Sequence, residues 1–422
     1  MVHFYYIFCK TFVKRYFGIL MSLHRSIIKP LLSAPLALAE LQPAAQVSLP
    51  TLRKAVQELI DARWIRVVGQ AEANGGRPAM LFGLDDGLHT IIGVHIQLPG
   101  IRLMTADLNG GILHESEVLH GEVPSPADVV QMIVEYVAAR RAQFSDRRLL
   151  GIGIATPGFI DQESGDIISV GRVSGWGRFP MCRRLEGLTG LPVIIANDID
   201  CMAFAEFQHT RQPFDRNLAY IGFDEGVKAS LFLNGALYKG SFGNAGLIAS
   251  HLLHVKDIPD RQQVHDALTI MGVNQRFDRE LAERPASSRA AYAAIDALKS
   301  RRKRFQAILQ GAVDGLPICR GIADTLVSVL AAAVANIIYI VQPDLVVMGG
   351  FFSTIPPELH AEVKAAIGAH LPHLIDNHCI IQQAKLTSPN SAAMGAAHHF
   401  LQEYITNPDY DLFALTSSGG GR

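Results

Sequence analysis

The run Ser48-Leu49-Pro50-Thr51-Leu52-Arg53-Lys54-Ala55-Val56-Gln57-Glu58-Leu59-Ile60, followed by Ile65-Arg66-Val67-Val68 and by Asn74-Gly75-Gly76-Arg77-Pro78, decides the fold of one end of the chain. Ser48 is a good helix N-cap, and Pro50 sits just inside the helix start, where a missing N–H costs nothing. Leu52, Val56, Leu59 and Ile60 then recur at helical spacing and make one buried stripe. Thr51, Arg53, Lys54 and Gln57 fall on other faces, so hydroxyl, guanidinium, ammonium and amide groups cluster near the helix start. Those groups read base edges and phosphates when a helix enters a major groove. After Ile65 the period changes to that of strands. Ile65–Val68 and Ala79–Leu84 flank a glycine-rich turn, which predicts a hairpin wing. Arg77, beside Gly75 and Gly76, can then follow a phosphate backbone or enter a minor groove. Upstream, Ile27–Leu32 and Leu36–Leu41 read as two short helices broken at Pro35 and Pro43. From Glu40 to Leu84 the order of elements is that of a winged helix-turn-helix.

From Arg25 to Pro78 there are seven Lys/Arg against four Asp/Glu, in a chain whose formal charge is -1. The basic excess is therefore local, which excludes a protein that coats polyanions generally. With 422 residues, 49% hydrophobic and 18% charged, the chain is long enough for two or three well-cored domains. Cys9, Cys182, Cys201, Cys319 and Cys379 are scattered without CxxC pairing, as expected of reduced thiols in a cytoplasmic protein with no zinc and no disulfide framework. Lys10, Lys14 and Arg15 interrupt Met1–Leu20, so the stretch lacks the ~20 apolar residues of a membrane span. It also lacks the layout of a signal peptide. Residues 1–22 are expected to be an extension upstream of the folded part, with an amphipathic surface helix over Met1–Leu20 as the alternative, and 407–422, ending Gly419-Gly420-Gly421-Arg422, a flexible tail.

From His89 onward strands and helices alternate. Thr90–Ile96, Arg102–Asp107 and Gly111–Leu119 read as consecutive strands, Ala127–Phe144 as an amphipathic helix, and Leu149–Ala155 as a strand ending at Thr156-Pro157-Gly158. Pro192–Ile195 is a strand ending at Asn197-Asp198, with a helix after it. A second set runs through Leu218–Ile221, Ala229–Leu233 and Ala236–Tyr238. An apolar helix over Ile322–Val341 is read as core rather than membrane, because it carries Asp324 and Asn336. Leu345–Met348 then runs into Gly349-Gly350. The pattern is α/β in two lobes. Lys299–Arg304 is the one dense basic run and reads as a solvated helix face.

These landmarks, in this order, resemble the ROK family of repressors and sugar kinases. The matching pieces are Asp107-Leu108-Asn109-Gly110, Gly151-Ile152-Gly153-Ile154-Ala155-Thr156-Pro157-Gly158, Ser174-Gly175-Trp176, Leu191-Pro192-Val193, Asn197-Asp198, Gly243-Asn244-Ala245-Gly246 and Asp344–Gly350. The resemblance spans Leu23 to about Tyr404. It implies a two-lobed, actin-like (ribonuclease H-like) ATPase body behind the winged helix. The expected division is a DNA-binding domain over 23–86, a first lobe over 87–200 to which a helix at about 388–406 returns, and a second lobe over 201–387.

Kinases of this family cradle ATP phosphates on Asp-x-Gly-Gly-Thr after the opening strand. Here that stretch is His95-Ile96-Gln97-Leu98-Pro99, with every one of those residues replaced and a backbone donor lost at Pro99. The second glycine loop reads Gly222-Phe223-Asp224-Glu225-Gly226. Each carboxylate there, at ~4 Å from a phosphate, costs roughly 4 kcal/mol at an intermediate dielectric, partly offset by Lys228 nearby. The family's sugar signature Gly-Glu-x-Gly-His has become Gly246-Leu247-Ile248-Ala249-Ser250-His251, and the cysteine cluster that holds its zinc is missing. Asn197 and Asp198 survive; the aspartate corresponds to the kinase base, and it equally suits a helix cap.

The expectation is a catalytically inactive, kinase-like body that receives an effector and carries the oligomer contacts of a repressor of carbohydrate genes. Its DNA-binding residues are Ser48, Pro50, Thr51, Arg53, Lys54, Gln57, Gly75, Gly76 and Arg77. Trp176, Asn197, Asp198 and His251 are the candidates to line the effector cleft. The expected partners are a double-stranded operator, a sugar or sugar derivative, and further copies in a homodimer or homotetramer, with no cofactor, metal or membrane. The rival reading, an ATP-dependent sugar kinase with an N-terminal appendage, requires glycine loops that this sequence lacks.

Overall fold

The computed structural model describes residues 22–72, 78–119, 121–170, 173–209, 217–223, 226–248, 252–253, 262–372 and 378–413. The upstream stretch of the sequence and the wing tip Gly75-Gly76-Arg77 lie outside these residues.

The chain opens with α1 (residues 22–31), β1 (Leu36–Ala37), α2 (Leu38–Ala45) and α3 (Leu49–Asp61). Strands β2 (Ile65–Gln70) and β3 (Met80–Leu84) follow and pair antiparallel, with Ile65 opposite Leu84 and Gln70 opposite Met80. Two readings of this region are corrected. Leu36–Ala37 is a strand on the far edge of β3, because two extended residues after Pro35 suffice to pair. Pro43 lies inside α2 rather than ending it; the helix gives up one amide donor there.

The body starts with β4 (His89–Gln97), β5 (Gly100–Asp107) and β6 (Ile112–Leu119), an antiparallel meander. Helix α4 (Pro126–Gln143) leads to β7 (Arg148–Thr156), parallel to β4. The hairpin β8 (Phe159–Asp161) and β9 (Asp166–Ser169), helix α5 (Met181–Thr189), β10 (Val193–Asn197) and α6 (Asp198–His209) complete this half. The second half holds β11 (Leu218–Phe223), β12 (Val227–Leu233) and β13 (Ala236–Leu237), then the short strands β14 (Leu252–Leu253) and β15 (Gln262–Gln263). Helices α7 (Val264–Leu268), α8 (Ile270–Ala282), α9 (Ala286–Arg289), α10 (Ala293–Asp296), α11 (Arg301–Val313) and α12 (Pro317–Val341) lead to β16 (Leu345–Gly350), α13 (Pro357–His370), β17 (Ile380–Gln383) and α14 (Ser391–Thr406).

The two large sheets, β10-β7-β4-β5-β6 and β17-β16-β11-β12-β13, have the same layout. Each is an antiparallel meander of three strands extended by two parallel strands. The lobes therefore repeat in topology, although no repeat period stands out in the sequence. By length and composition α12 could cross a bilayer. In the fold it is the spine of the second lobe, with Ile322, Leu326, Leu330 and Val334 buried.

Helix α14 lies across β4 and β7 and against α6, and its Ala392 and Ala396 share a hydrophobic cluster with Leu218 and Leu345, so it joins both halves. The approach depends on glycine: a Cβ at Gly153 would stand 2.0 Å from the Ala396 carbonyl oxygen, and one at Gly93 2.1 Å from that of Ala393. Past α14, the expectation of a tail flexible from 407 is corrected over 407–413. The Arg25 guanidinium donates to the carbonyls of Tyr404, Ile405 and Tyr410. The Trp64 indole N–H donates to the Leu412 carbonyl at 2.9 Å, and Leu412 is fully buried. One hydrophobic cluster consequently runs from Ile27, Leu52 and Trp64 into Leu150, Phe400 and Leu412. The N-terminal unit is fused to the body through this shared core.

Candidate nucleic-acid interface and inter-lobe site

Helix α3 begins where its cap dictates. Ser48 is extended (φ −63, ψ 151), its hydroxyl accepts the Thr51 N–H at 3.4 Å, and the two hydroxyl oxygens lie 2.8 Å apart. Leu52, Ala55, Val56 and Leu59 face inward. Ser48, Pro50, Thr51, Arg53, Lys54 and Gln57 are all exposed. Lys54 reaches Glu58 only at 4.0 Å with its side chain 77% exposed, a pairing worth little in water. Gln57 donates to Asp61 at 2.8 Å. Arg53 has no hydrogen-bond or ion-pair partner among the described residues. The inward side is anchored instead: Glu58 lies 2.8 Å from the His24 imidazole of α1. The outer face of α3 thus keeps its polar groups available.

In the body, β7 and β10 run parallel with Asn197 opposite Thr156. The Asn197 amide donates to the Gly158 carbonyl at 3.3 Å, while its oxygen accepts the Ile199 N–H at 3.0 Å. Asp198 accepts the same N–H at 2.8 Å. Both residues therefore sit at the start of α6 and bind its first turn, as helix-starting carboxylates and amides do. From the second half, the Asn244 amide donates to the Ile160 carbonyl at 3.2 Å. Gly243 (φ +72) packs so closely on Gln162 that an added Cβ would come within 2.2 Å of it. These two second-lobe residues, quoted in the sequence only as landmarks, clamp the β8–β9 hairpin. Leu247 and Phe242 stay exposed beside them, Phe242 by 92%.

Trp176 is placed elsewhere. It is 2% exposed, belongs to the first-lobe core, and donates its indole N–H to the Pro124 carbonyl at 2.9 Å. Buried and satisfied, it supports the lobe and offers no surface to a ligand. His251 lies outside the described residues, as do Asp224 and Glu225.

Where a kinase would hold phosphates, the turn Leu98-Pro99 joins β4 to β5, and Leu98 packs on the first-lobe core. His95, 1% exposed, is held down to about 3 by burial and by the cations Arg102 and Arg302, so it is neutral at pH 7. The Lys228 reading is corrected. Its amine is buried and bound to Asp200, which also accepts the Ser230 hydroxyl, so it cannot offset charge in the second loop. The basic run at the start of α11 is partly committed as well: Arg304 pairs with Asp278 and Asp296 and lies over the Phe277 ring. Among the described residues no cluster of His, Cys, Asp and Glu has the makings of a metal site, and Cys182, Cys201, Cys319 and Cys379 are buried free thiols.

Comparison with known proteins agrees with this architecture. The family model described as "ROK family" matches residues 91–403. A putative xylose repressor of Caldicellulosiruptor sp. (strain Rt8B.4) is 22% identical over 381 residues, 88% of this chain and 93% of that protein. A beta-glucoside kinase of Listeria innocua is 24% identical over 315 residues, which is 72% of this chain but 98% of the kinase. Among solved structures, a ROK family transcriptional regulator described as a homolog of the E. coli MLC protein superposes with a TM-score of 0.73 at 19% identity, covering 92% of this chain and 97% of that one. The ROK hexokinase of Thermus thermophilus superposes with a TM-score of 0.58 at 19% identity, over 74% of this chain and 98% of its own. The family model covers most of the chain and both lobes of the fold, and on that ground this protein belongs to the ROK family.

Proposed function

We propose that the protein is a sugar-responsive transcriptional repressor in which the N-terminal unit is a winged helix-turn-helix and α3 its recognition helix. One observation carries the reading. The kinase relative matches 98% of its own length within 72% of this chain, whereas the repressor relative matches 88% of this chain, and the N-terminal unit presents an exposed polar helix face. Arg53, Thr51 and Gln57 read base edges, Ser48, Lys54 and the wing residues Gly75, Gly76 and Arg77 hold phosphates, and Pro50 sets the helix start. Copies pair as a homodimer or homotetramer in the cytoplasm, so that two recognition helices meet successive major grooves of a near-palindromic operator.

The body works as a receiver rather than a kinase. Asn197 and Asp198, with His251, face a sugar or sugar derivative between the lobes. Such a ligand shifts DNA affinity only by preferring one inter-lobe angle to another. Xylose is the first sugar to try, since the relatives are named xylose repressors. The test pairs two measurements on purified protein. With Mg-ATP and D-xylose, D-glucose or N-acetylmannosamine, ADP release is expected to stay at background. In thermal shift, one sugar of the panel is expected to raise the melting temperature. Sugar-dependent ADP release would contradict the receiver reading.

A further inference from the structure

Helix α6 has two ends with different surroundings. Its first turn holds Asn197 and Asp198 at the cleft, and its last turn, Gln208 and His209, opens on a cavity of about 650 Å³. Twelve residues at 1.5 Å each put the two ends roughly 18 Å apart. The cavity lies where the N-terminal unit meets the body. Leu31–Pro35, Val68 and Leu84 form one wall, the β5–β6 turn at Leu108–Gly110 a second, and α6 with Met394, His398 and Leu401 of α14 the third.

Its chemistry is specific. Among the described residues no Asp, Glu, Lys or Arg lines it, while Asn109, Gln208, His209 and His398 bring polar atoms and leucines supply much of the rest. The Nδ1 of His398 is shielded from solvent and has no hydrogen-bond partner among the described residues, so the ring can meet a guest only at its Nε2. Burial lowers the His398 imidazole to about 4, so this ring is neutral at pH 7. The volume is that of a small-molecule site.

We propose that this junction cavity is a second effector site, separate from the inter-lobe cleft, for an uncharged amphipathic molecule the size of an aryl glycoside. Its hydroxyls meet Gln208 and His398, and its ring lies on the leucines. Because the walls belong to the DNA-binding unit, to the first lobe and to the helix leading from the cleft, the cavity changes shape whenever the unit tilts on the body. A guest therefore favours one tilt and changes DNA affinity.

The probe is para-nitrophenyl β-D-xyloside at millimolar concentration, measured by equilibrium dialysis against the full chain with saturating D-xylose present to fill the cleft. One molecule is expected to bind per chain. Ala34→Trp, which fills the cavity from a surface turn, and His398→Phe, which removes the polar anchor, are each expected to weaken binding at least tenfold, while circular dichroism and the melting temperature show both variants folded. No binding by the wild type, displacement by D-xylose, or unchanged binding in folded Ala34→Trp would each overturn the proposal. Were Ala34→Trp to unfold, His398→Phe alone would decide, with unchanged binding counting against the site.

Discussion

The outer face of α3 and the neighbourhood of α6 are both rich in polar side chains, but they use them in opposite ways. On α3, Thr51, Arg53, Lys54 and Gln57 project into solvent with partners that are local and weak or absent. Around α6, Asn197 and Asp198 bind backbone of the first turn, Asp200 holds Lys228 and Ser230, and Glu206 accepts the N–H groups of Lys385 and Leu386 at 2.9 Å each. A group that must recognise a partner has to be free before the partner arrives, and side chains such as Asp200 and Glu206, which already satisfy their own fold, have little left to give. The contrast supports the proposed output at α3 and assigns most of the polar network at α6 to holding two lobes in register.

The largest effect that could break this contrast is expected at Asp200. Replacing it by Ala leaves the Lys228 amine buried without its counter-charge, which should cost about 3–5 kcal/mol of stability. Urea denaturation would show it as a lower midpoint. A change within a few tenths of a kcal/mol would mean that the pair is not the strut described here.

Next in size is a pH effect at the junction. His89 is fully buried, stacks on Trp64 with ring centroids 4.4 Å apart, and is lowered to about 4, by burial first and then by Arg148. A histidine whose folded pKa lies below its unfolded value of about 6.5 contributes stability that is complete above 6.5 and is lost as pH falls toward 4. The loss over that window should be on the order of 3 kcal/mol from this residue. His398 and His95 slope the same way, so the informative quantity is the difference between wild type and His89→Gln. The variant should show a shallower decline of melting temperature between pH 6.5 and 4.5, whereas parallel curves would remove His89 from the account.

Arg53→Ala sharpens the other side of the contrast. It should leave stability within about 0.5 kcal/mol of wild type, as exposed substitutions do. It should nevertheless weaken specific DNA binding by about 1–3 kcal/mol and relax sequence preference, as read by fluorescence anisotropy on a selected site and a scrambled one. Smallest is Ser48→Ala, which removes the α3 cap at about 1 kcal/mol; Ser48→Gly should cost only a few tenths, and an equal loss from both would show that the side-chain cap is idle.

Local rules made α3 and the strands readable, because they act over a few residues. Ser48, Pro50 and the Leu52–Leu59 stripe announce the helix, and Asn109-Gly110 and Asn234-Gly235 announce turns that do form, with Gly110 and Gly235 at positive φ. What stayed hidden depends on partners far away in sequence. Arg25 and Trp64 find their acceptors beyond residue 403, so nothing near Tyr410-Asp411-Leu412-Phe413 marks it as a clasp. Lys228 looked like a loop cation because Asp200 lies 28 residues earlier. Trp176 looked like a cleft aromatic because its acceptor, Pro124, is 52 residues away. The duplicated sheet order is likewise a property of topology, carried by two stretches with different residues.

The most direct test of the central claim is selection of bound DNA from a random pool by the full-length protein, with the Arg53→Ala protein run beside it. Enrichment of a near-palindromic site by the wild type, lost or blurred with Arg53→Ala while the variant remains folded, is the result predicted. A folded wild-type protein that enriches no sequence, or an Arg53→Ala protein that enriches the same site equally well, would contradict the assignment of α3 as the output of this molecule.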